Sequence, residues 1–236
     1  NISREELKEH QNKCVKLLVK TAYTSTSYYN KLFKEMSMKP EDIRTIEDFK
    51  KLPVITRDIA QNYIADMVRT DIKGQCFKMY TSGTTNKRMY IKRNIHDTFT
   101  TILLSRIFLE AGINRDDCIC FLFPKESSSW KGRMILNLFY PNFIFITPKD
   151  LQNELKKGNR RFLSKIDGIF TYTRLLSAIA ARYPEEIKML KPKGIVLSGE
   201  ILNKAIENCY KKFFPDSQII DTYSCIELGW ISMMCP

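Results

Sequence analysis

Between Tyr80 and Ile91 the chain reads YTSGTTNKRMYI, in which four hydroxyl residues (Thr81, Ser82, Thr84, Thr85) surround one glycine, Gly83, and Lys87 and Arg88 follow. Hydroxyls and backbone N–H groups around a permissive glycine, with cations beside them, are the parts of a loop that wraps a polyphosphate. The P-loop pattern GxxxxGK[ST] is absent, and a polar turn between two strands is the competing reading of the same residues. A second stretch, VLSGEIL (Val196 to Leu202), puts Gly199 and Glu200 just past a buried strand. An ordinary strand-to-helix turn, with Glu200 complementing the helix dipole, is its alternative. In the third stretch, IIDTYSCIELGW (Ile219 to Trp230), a strand ends at Asp221 and Tyr223, Ser224 and Glu227 follow. An aromatic face, a hydroxyl and a carboxylate can stack on a base, bond a phosphate oxygen and hold a hard cation such as Mg²⁺. Each alone reads equally as packing or surface charge; together, at successive strand ends, they describe a nucleotide site.

Those residues need a frame. Helical spacing of Leu7, Val15, Leu18 and Ala22 predicts a helix over 4 to 36, interrupted by a Ser/Thr-rich break. Thr45 with Asp48 predicts a capping box for a short helix IEDFKKL, and Thr56 caps RDIAQNY. Residues 1–73 therefore form a helical N-terminal segment. From residue 74 the pattern alternates: strands CFKMY and MYIKR flank the first loop, and a helix DTFTTILLSRIFLEAG ends at Gly112. Strands CICFLF, FIFIT, GIF, GIVLS and SQIID follow, with helices near 132–140, 150–158, 173–191 and 202–214. Such alternation predicts an α/β fold over 74–236, a largely parallel sheet flanked by helices. Ligands of such sheets bind beyond the carboxyl ends of the strands.

Composition sets the outer bounds. Hydrophobic residues make up 44% of the 236, enough for a packed core, and no run reaches the about 18 to 20 apolar residues of a membrane helix. The N-terminus NISREELKEH has no hydrophobic signal region, so a soluble, cytoplasmic protein is expected. Seven scattered cysteines argue for reduced thiols over a disulfide framework, and Cys118 and Cys120 fit core positions better than metal ligation. The net charge of +12 favours phosphate-bearing partners. Nucleic acid has only this charge behind it: no zinc-finger spacing, aromatic RNA-binding motif or long basic block accompanies it.

With the three stretches in order, the chain resembles the adenylate-forming superfamily of acyl-CoA synthetases, luciferases and peptide-synthetase adenylation domains. YTSGTTNKRMY resembles its phosphate loop, LSGEIL its adenine-side Gly-Glu motif and DTYSCIE its Tyr-Gly-x-Thr-Glu motif. The segment YYNKLFKEMSMKPEDIRTIEDFKKLPVITRDIAQNY resembles the phenylacetate–CoA ligase branch, extending the likeness from about Tyr28 onward. The resemblance implies that a carboxylic acid, with aromatic acids among the candidates, is activated by ATP to an acyl-adenylate and passed to coenzyme A. It implies that Thr81, Ser82, Gly83, Thr84, Thr85 and Lys87 hold the β- and γ-phosphates. It further implies that Gly199, Glu200 and Asp221 border the adenine, that Tyr223 lies against its ring, and that Glu227 binds Mg²⁺. Glu227, Ser224 and Lys87 would thus carry the catalytic work. Acyl transfer to a carrier-protein thiol, or a non-catalytic member that binds a nucleotide or a partner, are the alternatives. A second copy of the chain is a further candidate partner.

The pattern departs from the family at four places. Asn86 stands where glycine is usual, Arg88 for proline, Ser224 for glycine, and Ile226 for the Thr or Ser that offers a hydroxyl to the α-phosphate. Asn tolerates a left-handed backbone, and Ser224 could supply the lost hydroxyl from two positions earlier. The chain stops after SMMCP, where family members continue into a mobile C-terminal lid domain, so 74–236 is expected to be part of a larger N-terminal domain. Trp130, Phe170 and Tyr172 are candidate linings for the acid, with ordinary core packing as the alternative.

Overall fold

The computed structural model describes residues 2–74, 76–80, 90–94, 100–125, 140–225 and 229–233. The chain divides into two compact units, Asn1–Asn94 and Ile95–Pro236.

In the first unit, polar caps start each helix. Ser3 opens α1 (Arg4–Ser25) with a capping box: its hydroxyl accepts the Glu6 N–H at 3.1 Å while Glu6 accepts the Ser3 N–H at 2.8 Å. Thr26 caps α2 (Ser27–Glu35), Thr45 and Asp48 form the expected box on α3 (Ile46–Phe49), and Thr56 caps α4 (Arg57–Tyr63). The helix expected over 46–52 is cut to one turn. Val19, Phe33 and Ile43 form the small core of this unit. Strands β1 (Cys76–Tyr80) and β2 (Tyr90–Asn94) pair antiparallel with Tyr80 opposite Tyr90.

The second unit is a six-stranded sheet. Its strands are β3 (Ile119–Leu122), β4 (Phe143–Ile146), β5 (Gly168–Tyr172), β6 (Gly194–Ser198), β7 (Gln218–Cys225) and β8 (Gly229–Met233). They lie in the order β4-β3-β5-β6-β7-β8, all parallel except β8, which runs antiparallel to β7. Helices α5 (Thr100–Glu110), α6 (Pro148–Lys156), α7 (Arg160–Leu163), α8 (Thr173–Arg182) and α9 (Lys204–Phe213) accompany it.

Strand alternation divides the core into two layers. Phe108 of α5 packs on one face against Phe121, Phe170, Val196 and Ile220. Its ring meets those of Phe121 and Phe170 edge to face, at centroid distances of 6.0 and 5.9 Å. Cys120, Leu122, Ile169, Ile195, Leu197 and Ile219 point to the other face, against Leu151 and Leu155 of α6, Leu176 and Ile179 of α8 and Tyr210 of α9. Phe170 is therefore core, which removes it from the candidate acid linings.

Gly112 ends α5 in the left-handed region (φ +73°), where the Gly112 N–H donates to Leu109 O and the Ile113 N–H to Phe108 O. The turn presses onto the start of β6: a Cβ on Gly194 would lie 2.1 Å from the Ala111 carbonyl oxygen. At that same sheet edge Lys193 pairs with Asp117, which accepts the Asn114 N–H at 2.8 Å, while Asp167 accepts the Cys118 N–H at 2.9 Å. The bond to Asp117 raises the Lys193 pKa.

Two expected boundaries move, and one strand is new. The helix expected over 173–191 ends at Arg182, because Pro184 cannot continue it, and resumes only as a 3₁₀ turn at Glu186–Met189. The strand expected to stop at Asp221 runs on to Cys225, its polar residues Thr222, Tyr223 and Ser224 being paired with β8. β8 itself was not anticipated.

Candidate functional site at the carboxyl edge of the sheet

The carboxyl ends of β5, β6 and β7 lie side by side. Tyr172 pairs in register with Ser198, and Ser198 with Thr222. Tyr172 ends β5 and Thr173 begins α8 at once, so the first turn of that helix stands beside the end of β6.

Gly199 follows β6 with φ +88°, in the region that favours glycine. A Cβ there would approach the Tyr172 ring to 2.9 Å, so the glycine also admits that ring against the backbone. Behind it, Phe123 meets Tyr172 edge to face at 4.8 Å. The turn after Gly199 is tied down on both sides: the Thr173 hydroxyl donates to the Glu200 carbonyl at 3.4 Å, and the Leu202 N–H donates to Asp221 Oδ2 at 3.0 Å. Asp221 Oδ1 is buried with no partner among the described residues. Glu200 does not open a helix, since α9 begins at Lys204 under an Asn203 cap.

Two residues enter that the sequence reading passed over. Arg174, the second residue of α8, places its Nε 3.3 Å from Glu200 Oε1, with the arginine largely and the glutamate partly in solvent. Arg-Leu-Leu at a helix start carries no sequence signal for such a pair. Ser198, 4% exposed, places its Oγ 3.2 Å from Ser224 Oγ. The strand period carried that signal, because Ser198 and Ser224 share the face of Val196 and Ile220. Tyr210 donates to the Thr173 carbonyl at 2.6 Å, at the start of α8, and burial pushes its phenol up, keeping it a donor.

The third stretch is thus split by the pleat. Ser224 joins Ser198 on one face, whereas Asp221 and Tyr223 follow Ile219 on the other. Tyr223 is 63% exposed, an uncovered ring at the strand end. The structure therefore brings Gly199, Glu200, Asp221, Tyr223 and Ser224 to one sheet edge. Thr81, Ser82, Gly83, Thr84, Thr85, Lys87 and Glu227 lie outside the described residues, as do Asn86, Arg88, Ile226 and Trp130. Among the described residues no group of three His, Cys, Asp or Glu could hold a metal ion, and no helix is long and apolar enough to cross a membrane.

No family model and no curated protein matches the chain. Solved structures do. The chain superposes on 2-hydroxyisobutyryl-CoA ligase, captured in an open conformation with 2-HIB-AMP and CoA, with a TM-score of 0.77 at 15% identity, over 96% of this chain and 52% of that one. The same ligase in its thioesterification state, also with 2-HIB-AMP and CoA, gives 0.76 at 16% identity over 97% and 51%. In its postadenylation state with 2-HIB-AMP it gives 0.75 at 16% identity over 97% and 50%. The chain spans about half the length of these structures. Its α/β architecture, a mostly parallel six-stranded sheet flanked by helices, matches the fold of about half of that ligase chain.

Proposed function

We propose that this chain is the nucleotide-binding portion of an AMP-forming acid–thiol ligase, akin to the phenylacetate–CoA ligase branch of the adenylate-forming superfamily. The observation that carries the reading is the fold it shares with a ligase solved with an acyl-AMP conjugate and CoA. Gly199, Glu200, Asp221, Tyr223 and Ser224 stand together at the sheet edge where α/β folds bind ligands.

In this reading the acid's carboxylate oxygen attacks the α-phosphorus of ATP, the bond to the bridging oxygen breaks, and pyrophosphate leaves. The thiol of coenzyme A then attacks the acyl carbon, AMP departs, and the thiol proton passes to solvent. The exposed Tyr223 ring offers a face to the adenine, with the Gly199–Glu200 backbone along its edge. The Ser224 hydroxyl donates to a phosphate oxygen, and Thr81, Ser82, Thr84, Thr85 and Lys87 hold the β- and γ-phosphates. Glu227 would hold Mg²⁺, which would offset the repulsion between carboxylate and polyphosphate.

Isothermal titration of the 236-residue chain with ATP·Mg²⁺, and with an acyl-sulfamoyl adenosine that mimics the adenylate, tests the reading. Saturable binding of both, the mimic tighter, supports it. A folded chain that binds neither overturns it.

A further inference from the structure

We infer that Ser198 is a positioning residue, which fixes the Ser224 hydroxyl as a donor toward a phosphate oxygen; the inference rests on the nucleotide reading above. Ser198 closes β6 at 4% exposure, and the Ser224 oxygen, 3.2 Å away, is its side-chain partner among the described residues. A buried hydroxyl left without a partner is costly, so the pair is bonded in one sense or the other. Ser198 is enclosed while Ser224 is only partly buried. If Ser198 donates, its proton is satisfied inside, and the Ser224 proton is free to turn outward. The reverse sense would leave the Ser198 proton enclosed with no side-chain acceptor among the described residues.

The register makes this arrangement specific. Ser198 lies opposite Thr222, so Ser224 is its diagonal neighbour on the same face, within reach of short side chains only where the strands draw together. The ladder between β7 and β8 shifts register between Tyr223 and Ser224, with Ile231 left over on β8. Such an irregularity re-aims the side chains beside it. A hydroxyl that accepts one bond donates a stronger one. The ligand suited to that donor is an acceptor-only group, the oxygen of a phosphate ester.

The test compares adenosine with AMP, which differ by the phosphate alone, by calorimetric titration of the parent chain, Ser198→Ala, Ser224→Ala and the double variant. The parent should bind AMP more tightly than adenosine. Ser198→Ala should weaken AMP binding about three- to tenfold, the effect of a hydrogen bond to a charged group held less well, and leave adenosine unchanged. In the Ser224→Ala background the loss of Ser198 should cost nothing more. Should Ser198→Ala fail to fold, Ser198→Cys keeps the volume with a weak donor and should show the same loss for AMP. Equal weakening of adenosine and AMP, no weakening of either, or additive losses in the double variant would overturn the inference while leaving the nucleotide reading intact. A folded parent that binds neither compound overturns both.

Discussion

The carboxylate of Asp221, on β7, receives the backbone N–H of Leu202 at 3.0 Å. One strand end thereby shapes the turn that leaves its neighbour. Asp221→Ala should leave that N–H without a partner and cost about 1 to 3 kcal/mol of stability. Asp221→Asn keeps an acceptor and should cost less. Urea unfolding of the two variants measures both, and equal losses would mean that the hydrogen bond does not matter.

Gly199→Ala meets two obstacles, a left-handed φ of +88° and the Tyr172 ring 2.9 Å from the new methyl group. Destabilisation of about 1 to 3 kcal/mol is expected from the backbone alone. Gly199→Ala in a Tyr172→Ala background should recover only the steric part. A thermal melt showing no loss in the single variant would contradict the geometry of this turn.

Lys193 provides a pH test. Its partnership with Asp117 raises its pKa above the ordinary value of about 10.4. A raised folded-state pKa means that the stability it contributes is complete below the unfolded value and is lost as pH rises through the folded one. The stability gap between the parent and Lys193→Met should therefore stay flat from about pH 6 to 9 and close above about 10.5. Because half of this side chain is in solvent, the gap should be small and should shrink with salt. A gap that widens at high pH would reverse the assignment.

Glu227→Ala tests the Mg²⁺ role that the proposed function gives this residue. ATP binding should weaken about tenfold or more, the effect of losing one contact to a charged group, and should no longer respond to Mg²⁺. Unchanged affinity, with the magnesium response retained, would remove Glu227 from the site.

Much of this architecture was legible because local chemistry and tertiary structure agree. Thr56 capped RDIAQNY as written, Thr45 and Asp48 closed their box, and Gly112 ended α5. The buried strands CICFLF and GIVLS announced themselves by composition. The end of β7 did not. Asp221, Thr222, Tyr223 and Ser224 have the polarity of a loop, and only pairing with β8 makes them strand. Of the candidate site, the position of Gly199 and Glu200 just past a buried strand could be read from sequence, but the Ser198–Ser224 and Arg174–Glu200 contacts join segments about 26 residues apart and depend on register.

The pleat that sends Ser224 to one face and Asp221 and Tyr223 to the other also sets which genetic changes this segment can survive. A substitution in β7 alters one side chain. A one-codon insertion or deletion between Ile219 and Ser224 would move every following residue to the opposite face, carrying the exposed ring inward and the hydroxyl away from Ser198. Variation along this strand should therefore accumulate by replacement, and length changes should be confined to residues outside it.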